Sequence, residues 1–390
     1  MLTYTGFAPV SLHEVERMPA EHARVQSFSE VSVMSITPAR ILDRIPAETI
    51  EWLLEPENPA VAAITRRTLL KESEAATAEL WTRRNEYAPI DAILNAENAD
   101  GSWMRPSQDY KKYQGSLWQV HLLGELCASG DDPRVAAAAD YAFSRQMADG
   151  SWSATNMRAG GSIPCLTANV GRALARMGWA HDERVIAALG YIVGLHRELG
   201  YIGCIEGREF QLSGYCHMLT TKELLFLAEV PRDLWPDGAE KLRDECITKL
   251  RDTSVFRSVP AEAREFGEAY WTSSKSERET LRKRFLAEHP ELHYKEKAGW
   301  LRFGYPLSYN SDALEALWAL MRIGEKPRTE YERAIELVER TADKQMRWTL
   351  KNTFNGKMLA DVETKGQPSK WLTLRALQVL DWADDDQAKP

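Results

Sequence analysis

Apolar residues recur at helical spacing along most of the chain after residue 50. Between residues 183 and 195, for example, Val185, Ile186, Leu189, Ile192 and Val193 fall on one face of a helix. Similar patterns predict a series of helices over 59–72, 74–95, 113–129, 132–148, 162–179, 182–198, 213–230, 236–256 and 329–346, and further helices that end at Ile323 and Leu380. No stretch alternates between apolar and polar residues with period two. We therefore expect an all-α protein.

Capping residues mark the starts of several of these helices. Asn58 precedes Pro59, a favoured pair for an N-cap and a first helical position, and Asp132 and Asp182 begin two later helices in the same way. Residues 1–48 have no clear period and contain several prolines. We predict that they form an N-terminal extension, which packs on the body or serves an interface in a homo-oligomer, and that the helical body spans 49–390.

A short phrase repeats within this body. Asp-Gly-Ser-Trp occupies residues 100–103 and occurs again 49 residues later at 149–152, and one further step of 49 reaches a weaker copy, Glu-Leu-Gly-Tyr, at 198–201. A repeat of this length fits one helical hairpin per unit, with each unit burying its apolar face against a neighbour. The glycine permits a turn, and the tryptophan packs over the joint between hairpins. Counting both arms gives about six hairpins, enough to close a ring.

A highly charged segment interrupts the repeat between about residues 257 and 300. Its charges are concentrated in 275–279 and 281–284, where lysine, arginine and glutamate dominate. We predict an inserted helical excursion with a solvated face, and a lid over a cavity is the alternative.

Composition limits the classes of function. The 390 residues are 44% hydrophobic with a formal net charge of -8, which fits a large buried core and argues against a surface for nucleic acid. No apolar run is long enough for a membrane span, and the N-terminus lacks the features of a signal peptide. Five cysteines without regular spacing are typical of reduced thiols, so we expect a cytoplasmic protein.

Gln146 and the phrase that follows it resemble the glutamine–tryptophan motif of squalene–hopene cyclases and the matching joints of protein prenyltransferase β subunits. Segments 52–55 and 369–377 look like those of bacterial proteins with prenyltransferase and squalene-oxidase repeats. The likeness covers about residues 50–382. It implies an α/α toroid, a ring of inner and outer helices around a central cavity lined by apolar and aromatic side chains. In the family that cavity holds isoprenoid or similarly apolar molecules.

The acid motif of the class II cyclases, Asp-x-Asp-Asp, is missing from the body of this sequence. Protonation of an alkene needs a carboxylic acid of unusual strength, which that motif supplies. The nearest string, at 381–386, is interpreted as an acidic C-terminal tail. No aspartate-rich magnesium motif for a diphosphate is evident either, so the resemblance predicts the fold more specifically than the reaction.

Protein prenyltransferases bind zinc through Asp, Cys and His side chains at one rim of the toroid. Cys165, Cys204, Cys216 and His217 lie at predicted joints or helix starts on what should be one end of the ring. Thiolate and imidazole are preferred zinc ligands, so Cys165, Cys204 and His217 are candidate ligands of a zinc ion. The alternative is that the cysteines pack as small hydrophobic residues and the histidine is hydrogen-bonded.

A mixed polar and apolar stripe on one predicted helix suggests a cavity wall. His217 shares this stripe with Thr220 and Thr221, so we interpret His217 as an acid–base group and the threonines as contacts to substrate.

A second candidate acid or base, Asp312, opens a later helix, where it alternatively stabilises the helix dipole. Tyr309 supplies a hydroxyl on the same face, and Arg302 is a candidate anchor for a negative substrate group.

Three hypotheses follow. The first, which we favour, is an isomerase, lyase or cyclase that uses His217, Asp312 and Tyr309 on an apolar terpenoid or aromatic substrate. The second is a zinc-dependent hydrolase or transferase related to the prenyltransferases. The third is a non-catalytic protein that binds an apolar ligand.

Overall fold

The computed structural model describes residues 41–154, 162–200, 202–203, 216–257, 273–289 and 297–387. These residues are mostly helical, which confirms the all-α expectation. The helices are α1 (Ile41–Arg44), α2 (Ala47–Leu53), α3 (Pro59–Thr68), α4 (Glu74–Thr82), α5 (Ala88–Asn95), α6 (Ser116–Glu125), α7 (Pro133–Ser144), α8 (Pro164–Leu174), α9 (Glu183–Leu199), α10 (His217–Leu227), α11 (Ala239–Asp252), α12 (Lys275–Glu288), α13 (Ala313–Arg322), α14 (Glu332–Arg340) and α15 (Lys370–Gln387). Within the described ranges, no helix combines the length and apolarity that a membrane crossing requires.

A short antiparallel pair of strands accompanies the helices. Strand β1 (Trp348–Thr349) pairs with β2 (Pro368–Ser369), with Trp348 opposite Ser369. The chain from Ala39 to Pro390 forms one compact unit. Helix α1 packs against α15, so the last residues of the predicted extension contact the end of the helical body.

Six of the described helices form an inner layer. Helix α6 contacts α8, α8 contacts α10, α10 contacts α13, α13 contacts α15, and α15 contacts α3. These helices are buried nearly all round; every residue of α6, for example, is buried. Because both faces of an inner helix lie against other helices, its apolar pattern is continuous rather than one-sided.

The outer helices alternate with the inner ones along the chain. Helices α4, α7, α9, α11 and α14 each pack against the inner helix that precedes them. They are buried on one face only; α7 buries Val135, Ala138, Ala139, Ala142 and Phe143, which recur every three or four residues. The helical hairpin predicted from the repeat is therefore the building unit.

The predicted helix starts are confirmed where caps were expected. The Asn58 side chain accepts a hydrogen bond from the backbone of Val61 (3.2 Å), and Asp132 and Asp182 cap α7 and α9 in the same manner. The segment 74–95, expected as one helix, is divided between α4 and α5. Pro89 explains the break, because it lacks an N–H and its ring would clash with the carbonyl four residues earlier.

The repeated phrase forms the same turn twice. The Asp100 carboxylate accepts hydrogen bonds from the backbone and hydroxyl of Ser102 (3.1 and 2.6 Å), and Asp149 does the same for Ser151 (3.0 and 2.6 Å). Gly150 has a φ of 89°, and a Cβ at this position would lie 2.4 Å from the carbonyl oxygen of Ala187 on α9. Only glycine allows both this backbone angle and the close approach of the next outer helix.

The tryptophans of the phrase tie each turn to the preceding helix. The Trp103 indole donates to the carbonyl of Ile93 (2.7 Å), and the Trp152 indole donates to that of Ala142 (2.8 Å). Trp348, which lies 196 residues or four periods after Trp152, makes the same bond to Val338 (2.8 Å). The repeat thus has a further copy at residues 345–348, where only the tryptophan of the phrase is kept in the sequence.

The weaker copy of the phrase differs from the expected alignment. The Cys216 amide donates to the carbonyl of Ile202 (2.6 Å), as the Ile163 amide donates to that of Trp152 (3.2 Å). The fully buried Ile202 therefore occupies the position of the repeat tryptophan. The residue expected there, Tyr201, lies outside the described residues.

The charged insertion contains a helix, as predicted. Ser274 and Glu277 form a capping box at the start of α12. The Lys297 amide donates to the carbonyl of Phe256 (3.0 Å), so the insertion leaves the body and returns to it at adjacent points.

The acidic string at 381–386 lies within α15, which continues to Gln387. Asp381 forms an ion pair with Lys71, with 3.0 Å between the carboxylate oxygen and the amine nitrogen. The interpretation of this string as a frayed tail is wrong, because its first turn is anchored to another part of the body.

Candidate functional site

His217 begins α10 and is buried. Its Nε2 lies 3.1 Å from the Thr253 hydroxyl, and its ring packs against Trp300 with centroids 5.1 Å apart. Burial holds the pKa of His217 well below its usual range, and the charge of Lys297 lowers it further. The imidazole is therefore neutral at neutral pH, and one of its nitrogens interacts with the neighbouring helix α11.

The polar stripe that was expected to contact substrate is occupied by bonds within its own helix. The Thr220 hydroxyl donates to the carbonyl of Cys216 (2.8 Å), and the Thr221 hydroxyl donates to that of His217 (3.3 Å). Both threonines are fully buried, whereas Arg302 is exposed. The two threonines therefore lie in the interior, and Arg302 lies at the surface.

Asp312 is the N-cap of α13. One carboxylate oxygen accepts from the Glu315 amide (2.8 Å), and the other accepts from the Gly304 amide (2.8 Å). Burial raises the pKa of Asp312 to about 7, and the charge of Glu315 contributes to that rise. Both oxygens thus fix the loop that leads into α13, which agrees with the structural interpretation of this residue.

Tyr309 lies in an aromatic cluster at the N-terminal ends of α6 and α8. Its ring meets Trp118 edge-on at 5.2 Å and lies 6.2 Å from Tyr110. The Tyr113 ring also packs edge-on against Trp118, with the ring centroids 5.0 Å apart. Burial raises the pKa of the Tyr309 hydroxyl well above its usual value, so this group stays protonated.

His121, one turn along α6 from Trp118, was not identified from the sequence. It is buried, and neither ring nitrogen makes a hydrogen bond to another described residue. The Trp118 indole N–H, an Asn169 oxygen and the Ser308 hydroxyl are likewise buried without partners in the described chain. They surround a void of about 10 Å³, room for a single water.

Burial lowers the pKa of His121 to about 4, and the positive charges of Lys222 and Arg172 act in the same direction. Glu125, one turn further along α6, opposes them. The imidazole is therefore neutral, with one nitrogen as a donor and the other as an acceptor.

Buried charges fill the centre of the inner layer below His121. Glu125 of α6 binds Arg172 of α8 and, at 2.9 Å, Arg375 of α15. Burial disfavours the charge of Glu125, but the two guanidinium groups outweigh this and hold its pKa well below the usual range. A second pair, Lys222 of α10 and Glu315 of α13, is 2.7 Å apart and equally buried.

A cavity of about 350 Å³ lies beside these charges, at the C-terminal ends of α3 and α13 and along the first half of α15. Its walls combine three tryptophans with three arginines and one carboxylate: Trp81, Trp318, Trp371, Arg176, Arg322, Arg375 and Glu229. The expected lining was apolar and aromatic. The aromatic part is present, and the arginines were not foreseen.

The candidate zinc ligands are only partly described. Cys165 and Cys216 lie at the starts of α8 and α10, and Cys204 lies outside the described residues. Among the described residues, no three His, Cys, Asp or Glu side chains are grouped as a metal would require. The set of Cys165, Cys204 and His217 therefore stays a prediction, which elemental analysis of protein purified without chelator tests.

A scan against protein-family models finds no match to this sequence, and a search of curated proteins finds none either.

The residues that line the interior have a common spacing. Trp118, His121 and Glu125 of α6 are separated by three and four residues, and so are Asn169, Arg172 and Arg176 from α8 onwards. The two sets are 51 residues apart, close to the repeat period. Charged residues at buried helical spacing inside apolar stretches were the signal that could have found them.

Proposed function

We propose that this chain is an α/α toroid that binds a small molecule with a flat apolar body in the cavity of about 350 Å³. The observation that carries this proposal is the origin of the cavity walls. Residues of α3, α13 and α15 line it, together with Cys127, Arg176 and Glu229, which follow α6, α8 and α10, and with Trp81 of outer helix α4. A single space bordered by all six inner helices, or by the residues that follow them, is what a ring of helices around a lumen produces.

The central ion pairs support closure of the ring. Helices α6 and α15 stand far apart in the series of inner-helix contacts, yet Glu125 and Arg375, 250 residues apart in sequence, meet at 2.9 Å. The Tyr305 hydroxyl, which precedes α13, also donates to the Glu125 carbonyl (2.7 Å). Contacts of this kind across the layer need helices that curve back on one another.

Binding, rather than catalysis, is favoured by the positions of the expected acid–base groups. His217 bonds to Thr253, and both oxygens of Asp312 bond to backbone amides. A group whose polar atoms hold the fold together is poorly placed to exchange protons with a substrate. The cavity walls, in contrast, offer three indole surfaces, which suit a flat ligand.

The test is a titration of the full chain with neutral aromatic probes such as indole and naphthol, followed by tryptophan fluorescence. Met321→Trp fills the cavity from a half-buried wall position, and Met218→Trp makes the same change at a position that is 40% exposed. We expect at least tenfold weaker binding in the first variant and none of that loss in the second. No binding to the natural chain, or equal binding in both variants, would refute the proposal.

A second candidate, an acid–base enzyme, is favoured by His121. Leaving a buried donor or acceptor unpaired costs about 1–3 kcal/mol, and such groups in native proteins commonly serve a ligand or a reaction. The neutral imidazole lies beside Tyr309 around the same void. We propose that the neutral His121 acts as a base that takes a proton from a substrate through a water in this void, with Tyr309 as its neighbouring hydroxyl.

Incubation of the protein with a mixture of terpenoid and aromatic compounds, read by mass spectrometry, tests this candidate. His121→Asn should abolish any turnover. The control is His196→Asn, because His196 lies on outer helix α9 and pairs with Glu245 of α11, and this variant should preserve turnover. Turnover that survives in His121→Asn, or no turnover by the natural chain, would exclude it.

A further inference from the structure

The arginines around the cavity outnumber the carboxylates that neutralise them. Among the described residues, the ion pairs of Arg172, Arg176, Arg322 and Arg375 are made only to Glu125 and Glu229. Four guanidinium groups share two carboxylates, so this group of described residues carries a formal net charge of +2 (four positive against two negative). Buried charge is costly unless it is balanced, so this surplus of positive charge favours an anionic ligand.

Arg176 lines the cavity and has a donor nitrogen without a hydrogen bond. Its side chain is 9% exposed, it lines the cavity, and its Nη1 makes no hydrogen bond to another described residue. The nearest carboxylate oxygen, Oε1 of Glu229, lies 3.5 Å from Nη1. The other terminal nitrogen, Nη2, donates to the Cys127 thiol at 2.7 Å. The guanidinium is thus held by the thiol at Nη2, while Nη1 has only the longer ion pair to Glu229 and no hydrogen bond.

Arg322 faces the same space from α13. It binds Glu229 at 3.0 Å, and its side chain is 34% exposed, so it stands at the edge of the cavity. Its guanidinium also lies over the Trp318 ring at 5.3 Å, with Arg375 over that ring at 4.3 Å. Stacking on an indole fixes the plane of a guanidinium and leaves its N–H groups directed sideways.

The remaining walls suit an apolar body. Three indoles are joined by Ile64, Met321 and Leu374. The volume of about 350 Å³ is roughly twice that of the 150 Å³ cavity known to hold benzene. A substituted aromatic ring with a small charged group therefore fits the available space.

We propose that the cavity selects a small organic anion, an aryl carboxylate or aryl phosphate, with its charged oxygens on Arg176 and Arg322 and its ring against the tryptophans. This inference rests on the proposed function, because it names the class of ligand for the same cavity. A carboxylate and a phosphate each present two oxygens that the planar guanidinium group can bind through two parallel hydrogen bonds.

The experiment is a calorimetric titration of the full chain in low-chloride buffer with benzoate, phenyl phosphate, inorganic phosphate and benzamide. Benzamide has the shape of benzoate without its charge. We expect benzoate or phenyl phosphate to bind at least tenfold more tightly than benzamide and inorganic phosphate. Arg322→Gln should weaken that binding at least tenfold, whereas Arg184→Gln, which removes an exposed arginine paired with Asp182, should leave it unchanged.

Each result decides the matter. Binding of benzamide as tight as that of the anions overturns the inference and leaves the proposed function intact, while failure of every aromatic probe overturns both. Anion binding that is equal in Arg322→Gln and in the natural chain places the anion elsewhere and overturns the inference. Met321→Trp gives a second measurement that alters no charge: it should also abolish anion binding, and retained binding contradicts the site.

Discussion

Replacement of Glu125 by glutamine tests whether the buried ion network holds the inner layer together. The substitution keeps the size of the side chain and removes its charge. Arg172 and Arg375, whose side chains are 2% and 5% exposed, would then lose the carboxylate that they share. Arg375 would have no ion-pair partner left among the described residues, and Arg172 would keep only Glu229 at 3.8 Å.

The expected loss is large because the arginines stay buried. Removal of one partner from a buried ion pair typically costs about 3–5 kcal/mol, since it leaves an uncompensated charge in a poorly polarisable interior. Glu125 serves two cations, and the glutamine oxygen still accepts one hydrogen bond. We therefore expect the free energy of unfolding to fall by about 4 kcal/mol.

Urea denaturation followed by circular dichroism measures this loss as a shift in midpoint. The matched control is Glu240→Gln, because Glu240 is half exposed and pairs with Arg232 at the surface (2.6 Å). Surface pairs contribute about 0–1 kcal/mol, so the control should unfold almost as the natural chain does. A loss below about 1 kcal/mol in Glu125→Gln would refute the reasoning, since the arginines would then be neutralised or solvated by other means.

The same carboxylate predicts a pH dependence. The pKa of Glu125 is lower in the folded chain than in the unfolded one, so its contribution is complete above the unfolded value and is lost as pH falls through the folded value. Glu125→Gln should therefore lose less stability on acidification than the natural chain. If the variant and the natural chain lose the same stability as pH falls, the direction of this prediction is wrong.

Two further predictions concern single residues of the hairpins. Gly150→Ala places a Cβ 2.4 Å from the carbonyl oxygen of Ala187 at a φ of 89°, so its stability in thermal unfolding should fall by about 2 kcal/mol or more. The control is Gly194→Ala, whose Cβ would lie in open space on α9, and its stability should rise by about 0.5–1 kcal/mol. Equal changes in stability in the two variants would contradict the steric argument. Burial raises the pKa of Glu223 to about 8, so the free energy of unfolding should fall as pH rises from about 4.5 to 8 and the buried carboxyl group ionises. Glu223→Gln should reduce this fall, and its free energy of unfolding at pH 8 should be higher than that of the natural chain by about 1 kcal/mol or more. If the urea midpoints of the two proteins change with pH in the same way, Glu223 does not have this role.

Local patterns were enough to predict the helices and their caps. Asn58, Asp132 and Asp182 cap helices because a short polar side chain reaches the exposed amides of the first turn, an interaction confined to neighbouring residues. The turn at 149–152 was predicted for the same reason. Its copy at Trp348 was missed because Met346, with a φ of 57°, stands where the other copies have glycine.

The candidate site was harder to predict because its chemistry depends on distant residues. His217 and Asp312 carry suggestive side chains, but Thr253 and Gly304 engage them, and neither partner can be read from the helix that bears the candidate. His121 looked like an ordinary core position within an apolar helix. Its unpaired nitrogens are visible only when helices α6 and α8 are in place.

The sequence by itself determined that this protein is built from helical hairpins, since hydrophobic period, capping and turn chemistry act over a few residues. Only the tertiary structure decided what the interior contains. Glu125 and Arg375 are 250 residues apart, and their meeting reflects the packing of six inner helices rather than any local preference. Charge becomes expensive once water is excluded, so the balance of arginine and glutamate inside the layer, and with it the chemistry of the cavity, belongs to the assembled fold.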